Sequence, residues 1–233
     1  GGIRITGARE CQVIGNVVKN VKSNGTVTDD CEGIYTQISN SSIKNNKLKN
    51  CGKNGGAIVI KGRNRAGEGT DSTRPEGFVG ECSGNIIKND GTFEASGIAI
   101  YTSGWNVHHN HIEGCGGDGS RFGSIWSNAQ NNSDTKISSN TIMNDMGRFG
   151  ILLGSYGDNI EILDNNISGV LGTISGAAPS TYGIYILNVD GNGLNSGSVK
   201  LSNMNIKGNN IGGLEQTGTS TAILLQSYRA RSA

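Results

Sequence analysis

The chain has 233 residues, with 20 Lys and Arg against 19 Asp and Glu for a formal net charge of +1. That balance gives no basic field to draw it to nucleic acid, and no run of 18 apolar residues is present to insert a helix in a membrane. The 38 Gly and 28 Asn are incompatible with repeats built from helices. The length fits one elongated domain over residues 1–233. No capping helix is predicted at either end, so the chain is expected to be a piece of a longer one.

Two motifs alternate from Gly2 onward. The first is a small residue followed by alternating apolar positions: it begins as Gly2-Ile3-Arg4-Ile5 and returns at Gly33, Ala57, Gly97, Ser124, Gly150, Gly183 and Ala222. The second is an asparagine three residues after one apolar residue and two before another. It begins as Val13-x-x-Asn16-x-Val18 and returns at Asn46, Asn85, Asn110, Asn140, Asn165 and Asn209, at spacings of 30, 39, 25, 30, 25 and 44 residues. A base unit near 25 residues with insertions accounts for them. The apolar runs are too short for helices and are broken by Gly, Asn and Ser, so each unit is two or three short strands.

An all-β solenoid follows, a right-handed single-stranded parallel β-helix of about 8 coils with inserted loops. The asparagines are expected to stack as an amide ladder at one bend, taking the left-handed conformation that the bend requires. Alternation in the Gly-Ile-x-Ile strands puts Arg4, Tyr35, Val59, Ala99, Trp126, Leu152, Tyr185 and Leu224 on the outside. The next outward row is Thr6, Gln37, Lys61, Tyr101, Asn128, Gly154, Leu187 and Gln226.

Candidate chemistry also appears in chain order. Asp29, Asp30 and Glu32 lead into the second Gly-Ile strand, and Glu94 lies two coils later. Two carboxylates at such a site are what glycoside hydrolysis requires. The long insertion after Lys61 carries Arg63, Arg65 and Arg74, guanidinium groups suited to acidic sugars. Tyr35, Tyr101 and Trp126 offer rings on which sugar C–H faces stack. His108, His109 and His111 flank the ladder residue Asn110, where strand and turn are expected to scatter them rather than gather a metal. The Gly- and Ser-rich segment 170–181 carries no readable chemistry. Five cysteines, an odd number without metal-ligand spacing, are read as free thiols, with Cys82 a small buried hydrophobe.

The repeat resembles the right-handed parallel β-helix superfamily of pectate lyases, polygalacturonases, alginate epimerases and bacteriophage tailspikes. Asp29-Asp30-Cys31-Glu32-Gly33-Ile34 is also similar to the Asp-Asp-Cys segment that supplies catalytic carboxylates in polygalacturonases. That family's Gly-His-Gly is replaced by Gly55-Gly56-Ala57, and its Asn-Thr-Asp and Arg-Ile-Lys are absent. The pectate-lyase calcium set and the epimerase Asp-Pro-His-Asp are not found either. The resemblance implies an extracellular, tailspike-like homotrimer that depolymerises a bacterial polysaccharide, with no cofactor. A lyase of the same fold and a non-catalytic spike or adhesin are the rival readings.

Overall fold

The computed structural model describes residues 2–21, 31–52, 55–61, 80–90, 95–116, 123–127, 133–154, 157–172, 180–188, 201–214 and 219–227. All regular structure among them is β, in parallel sheets. The first sheet stacks eight strands: Ile3–Arg9, Ile34–Ser39, Gly56–Lys61, Ser96–Tyr101, Gly123–Ser127, Phe149–Gly154, Thr181–Asn188 and Ser220–Ser227. The second stacks seven, from Gln12–Ile14 to Asn205–Lys207, and the third another seven, from Val17–Val21 to Asn210–Leu214. Each coil visits the three sheets in turn and every neighbour along a sheet is one coil away, which makes the fold a right-handed parallel β-helix.

The ladder forms at the bend between the second and third sheets. Asn110 Nδ2 donates to Asn140 Oδ1 at 3.0 Å and to the Cys82 carbonyl at 2.9 Å, while its Oδ1 accepts from Asn85 Nδ2 at 2.9 Å and from the Asn85 N–H at 3.0 Å. The same pattern joins Asn16, Asn46, Asn85, Asn110, Asn140, Asn165 and Asn209. Within the stack each buried amide therefore meets its hydrogen-bonding demand against neighbours in adjacent coils.

One expectation is corrected here. The left-handed residue of this bend is the one before the asparagine: Gly15, Asn45, Gly84, His109, Ser139, Asp164 and Gly208 all have positive φ, and the ladder residues do not. Glycine, Asn, Asp and His bear that conformation at least cost. The ladder position selects asparagine for its amide alone.

Inside the coils, Ile34, Ile58, Ile98, Ile125, Ile151 and Ile184 of the first sheet face Leu48, Ile87, Ile112, Ile142 and Ile167 of the third in one core, all buried. Burying each such side chain contributes about 1.5–3 kcal/mol. The small residue that opens the Gly-Ile strand is set by this packing. A Cβ at Gly33 would lie 2.7 Å from Leu48 Cδ2, at Gly97 2.5 Å from Ile112 Cγ2 and at Gly150 2.7 Å from Ile167 Cγ2. The branched residue of the third sheet thus occupies the space that a larger residue there would need.

Candidate functional site

The register of the first sheet aligns the outward residues as the alternation predicts: Arg4, Tyr35, Val59, Ala99, Trp126, Leu152, Tyr185 and Leu224 are successive partners. Thr6, Gln37, Lys61 and Tyr101 form the adjoining row. The two rows meet in a chain of cation and ring contacts. The Arg4 guanidinium lies 4.5 Å from the centre of the Tyr35 ring, and Lys61 Nζ lies 5.3 Å from that ring and 5.1 Å from the Tyr101 ring. Tyr101 in turn meets Trp126 edge to face, with centroids 5.4 Å apart. Further along, Phe149, Tyr182 and Tyr185 stack with centroids 5.0–5.5 Å apart.

Burial along these rows differs from what a row of rings offered to solvent requires. Tyr35 and Trp126 are each only 9% exposed, and Val59, Ala99, Phe149 and Leu152 pack with them as a second apolar cluster on the outer side of the sheet. Alternation identifies the side of a sheet, not what covers it, so this second core was not legible from spacing. The accessible part of the strip is the adjoining row: Lys61, Gln37 and Tyr101 are half-buried, and Arg4 and Thr6 are exposed.

Of the residues singled out in the sequence, Tyr35, Lys61, Tyr101 and Trp126 are brought together. Glu32 is half-buried just before the strand Ile34–Ser39. Asp29, Asp30, Arg63, Arg65, Arg74 and Glu94 lie outside the described residues. His108 and His109 are not scattered: their Nδ1 atoms are 2.8 Å apart, and His108 Nε2 reaches Glu81 at 3.0 Å. The left-handed backbone at His109 turns its ring back toward its neighbour. His111 points elsewhere, 3.5 Å from Glu113. No group of three His, Cys, Asp or Glu capable of holding a metal occurs among the described residues.

Two ionisable features escaped the sequence reading. Glu81 is held by Lys44 at 2.5 Å and by Ser83 Oγ at 2.7 Å. The bond from Lys44, with those from Ser83 and His108 beside it, sets its carboxyl below the usual range against the opposing effect of burial. Asp145 is fully buried inside the coils and accepts the Ser124 N–H at 3.0 Å and the Gly147 N–H at 2.7 Å. Burial pushes its pKa up to about 7 although those donors favour the charged form. Asn144, with positive φ just before it, breaks the alternation and turns Asp145 inward. Cys51 is carried inward in the same way after Asn50. None of the five cysteines is joined in a disulfide, and Cys51, Cys82 and Cys115 are buried with thiol pKa values raised by that burial.

Comparison with known protein families finds no matching family, and comparison with characterised proteins finds no match.

Proposed function

We propose that this β-helix binds a bacterial surface polysaccharide along the outward strip of its first sheet and hydrolyses it, as an extracellular depolymerase of the tailspike kind that acts as a homotrimer. The observation that carries this reading is the Lys61 ammonium seated between the Tyr35 and Tyr101 rings, with Arg4 on one side and Trp126 on the other. Aromatic ring faces beside cations match the C–H faces and acidic groups of a charged glycan. Asp29, Asp30, Glu32 and Glu94 are the proposed acid and base. Arg63, Arg65 and Arg74 are proposed to extend the cationic surface.

The test is a panel of capsular polysaccharides and lipopolysaccharides incubated with the protein. New reducing ends without the ultraviolet absorbance of an unsaturated uronate identify hydrolysis, and that absorbance identifies elimination instead. Activity surviving in an Asp29→Asn, Asp30→Asn, Glu32→Gln variant overturns the assignment of the carboxylates. Lys61→Ala and Tyr101→Ala should each weaken binding about tenfold. A second reading, a glycan-binding or structural spike without catalysis, is favoured by the packing of Tyr35 and Trp126 into the outer cluster. Tight binding with neither product signal establishes it.

A further inference from the structure

The strip on the first sheet is basic, but the corner where the chain turns from the first sheet into the second carries a depression of different chemistry. It is an open surface depression of about 490 Å³ across the first four coils, a volume within the span of about 300–1,000 Å³ of small-molecule sites. Gln12, Ser42, Glu81 and Asn106 are successive rungs of one outward row on its wall, spaced about 4.8 Å apart. Glu10 and Asn40 complete the rim. Gly80 lies against the buried Trp105 of the next coil, whose ring would sit 2.5 Å from a Cβ at that position. The tryptophan fills the coil interior beneath the depression, in the space that a side chain at Gly80 would need.

Ser41 accepts the Cys11 N–H at 3.0 Å and Glu81 is engaged by Lys44, but the other polar side chains of the depression are not held in this way. Lys44 pairs with Glu81, and Lys136 pairs with Glu161 at 2.9 Å further along the same sheet. Glu10, Gln12, Asn40, Ser42 and Asn106 make no side-chain hydrogen bond among the described residues. Asn106 Oδ1 is shielded from solvent without a donor, a state that a rotation of the amide toward a ligand hydroxyl relieves. Glu81 is the opposite case, an ionised acceptor fixed by Lys44, Ser83 and His108. Among the described residues that line it there is no Lys or Arg, and the adjoining Lys44 is engaged by Glu81, so no described lining residue compensates an anion. What fits is a ligand rich in hydroxyl donors and free of negative charge.

We propose that this depression is a second glycan subsite, selective for uncharged sugar units, complementing the basic strip on the first sheet. The assignment rests on the glycan-binding reading above, and it divides a mixed polysaccharide between two surfaces, with acidic units at Lys61 and neutral units at Gln12, Ser42 and Asn106. The test uses the methyl glycosides of glucose, galactose and mannose as probes, with galacturonic acid as the anionic control, followed by saturation-transfer NMR. Ser42→Trp, which fills the depression, and Asn106→Ala, which removes the amide, should each weaken binding of a neutral glycoside about tenfold. Circular dichroism should be unchanged, and a Lys61→Ala, Tyr101→Ala variant should bind the neutral probe as wild type does. The proposal is overturned if no neutral glycoside binds, if both depression variants bind it undiminished, or if galacturonic acid competes for the same place. Loss of acidic-glycan binding in the Lys61→Ala, Tyr101→Ala variant with no effect from the depression variants leaves the first-sheet reading standing and removes this one. The reverse result removes the first-sheet reading alone.

Discussion

Asn110 lies in the middle of the ladder, and its amide takes part in bonds to Asn85, Asn140 and the Cys82 carbonyl at once. Asn110→Ala leaves buried donors on Asn85 and a buried carbonyl at Cys82 unmet, so a loss of about 4 kcal/mol in urea-unfolding free energy is expected. Asp145 sets a different kind of limit. Its folded pKa of about 7 lies above the ordinary 3.8, so the folded chain holds a proton that the unfolded chain releases. Its contribution is fully present below about pH 4 and is lost as the pH rises through about 7, a fall on the order of 4 kcal/mol. Unfolding curves collected across that window should show the fall in the wild type and lack it in Asp145→Asn. A pH-independent wild type would refute the interior placement of an ionisable carboxyl. Neither the inward turn of Asp145 nor that of Cys51 was legible from strict alternation, because Asn144 and Asn50 each shift the strand by one residue.

At the level of the strand, the pairing of a small residue in the first sheet with a branched one in the third fixes how each coil closes. Gly97→Ala places a methyl group against Ile112 Cγ2 and the Ser124 carbonyl, and overpacking of this sort costs about 1–3 kcal/mol. Combining it with Ile112→Ala should recover part of that cost, a non-additivity that a double-mutant cycle on unfolding midpoints measures. Strand register was readable in advance, since each Ile and each ladder Asn recurs at one fixed place in the coil. The cover over Tyr35 and Trp126 was not, because periodicity carries no information about what packs on an outer face. The contact between His108 and His109 was hidden for a related reason: the left-handed residue lay one position earlier in the bend than expected, and it falls on His109 itself.

Over the whole molecule, the interior core continues from Val13 to Ile186 and is sustained by each coil covering the next. In the first sheet Ile151 and Leu153 are fully buried, while their counterparts Ile223 and Leu225 in the last strand are 43% and 58% exposed. Because a solenoid's stability is the sum of its coils and their interfaces, hydrogen exchange should be slowest between Gly56–Lys61 and Phe149–Gly154 and fastest in Ser220–Ser227. Uniform protection along the chain would contradict that account. The amide ladder is also a vector. Each inner rung gives its backbone N–H and one amide hydrogen to the Oδ1 of the next coil and its other amide hydrogen to a carbonyl of the coil before, as Asn110 does toward Asn140 and Cys82. The two senses of the axis are therefore chemically distinct: a coil stacked in reverse would set Oδ1 against Oδ1, so the ladder admits coils of one sense only.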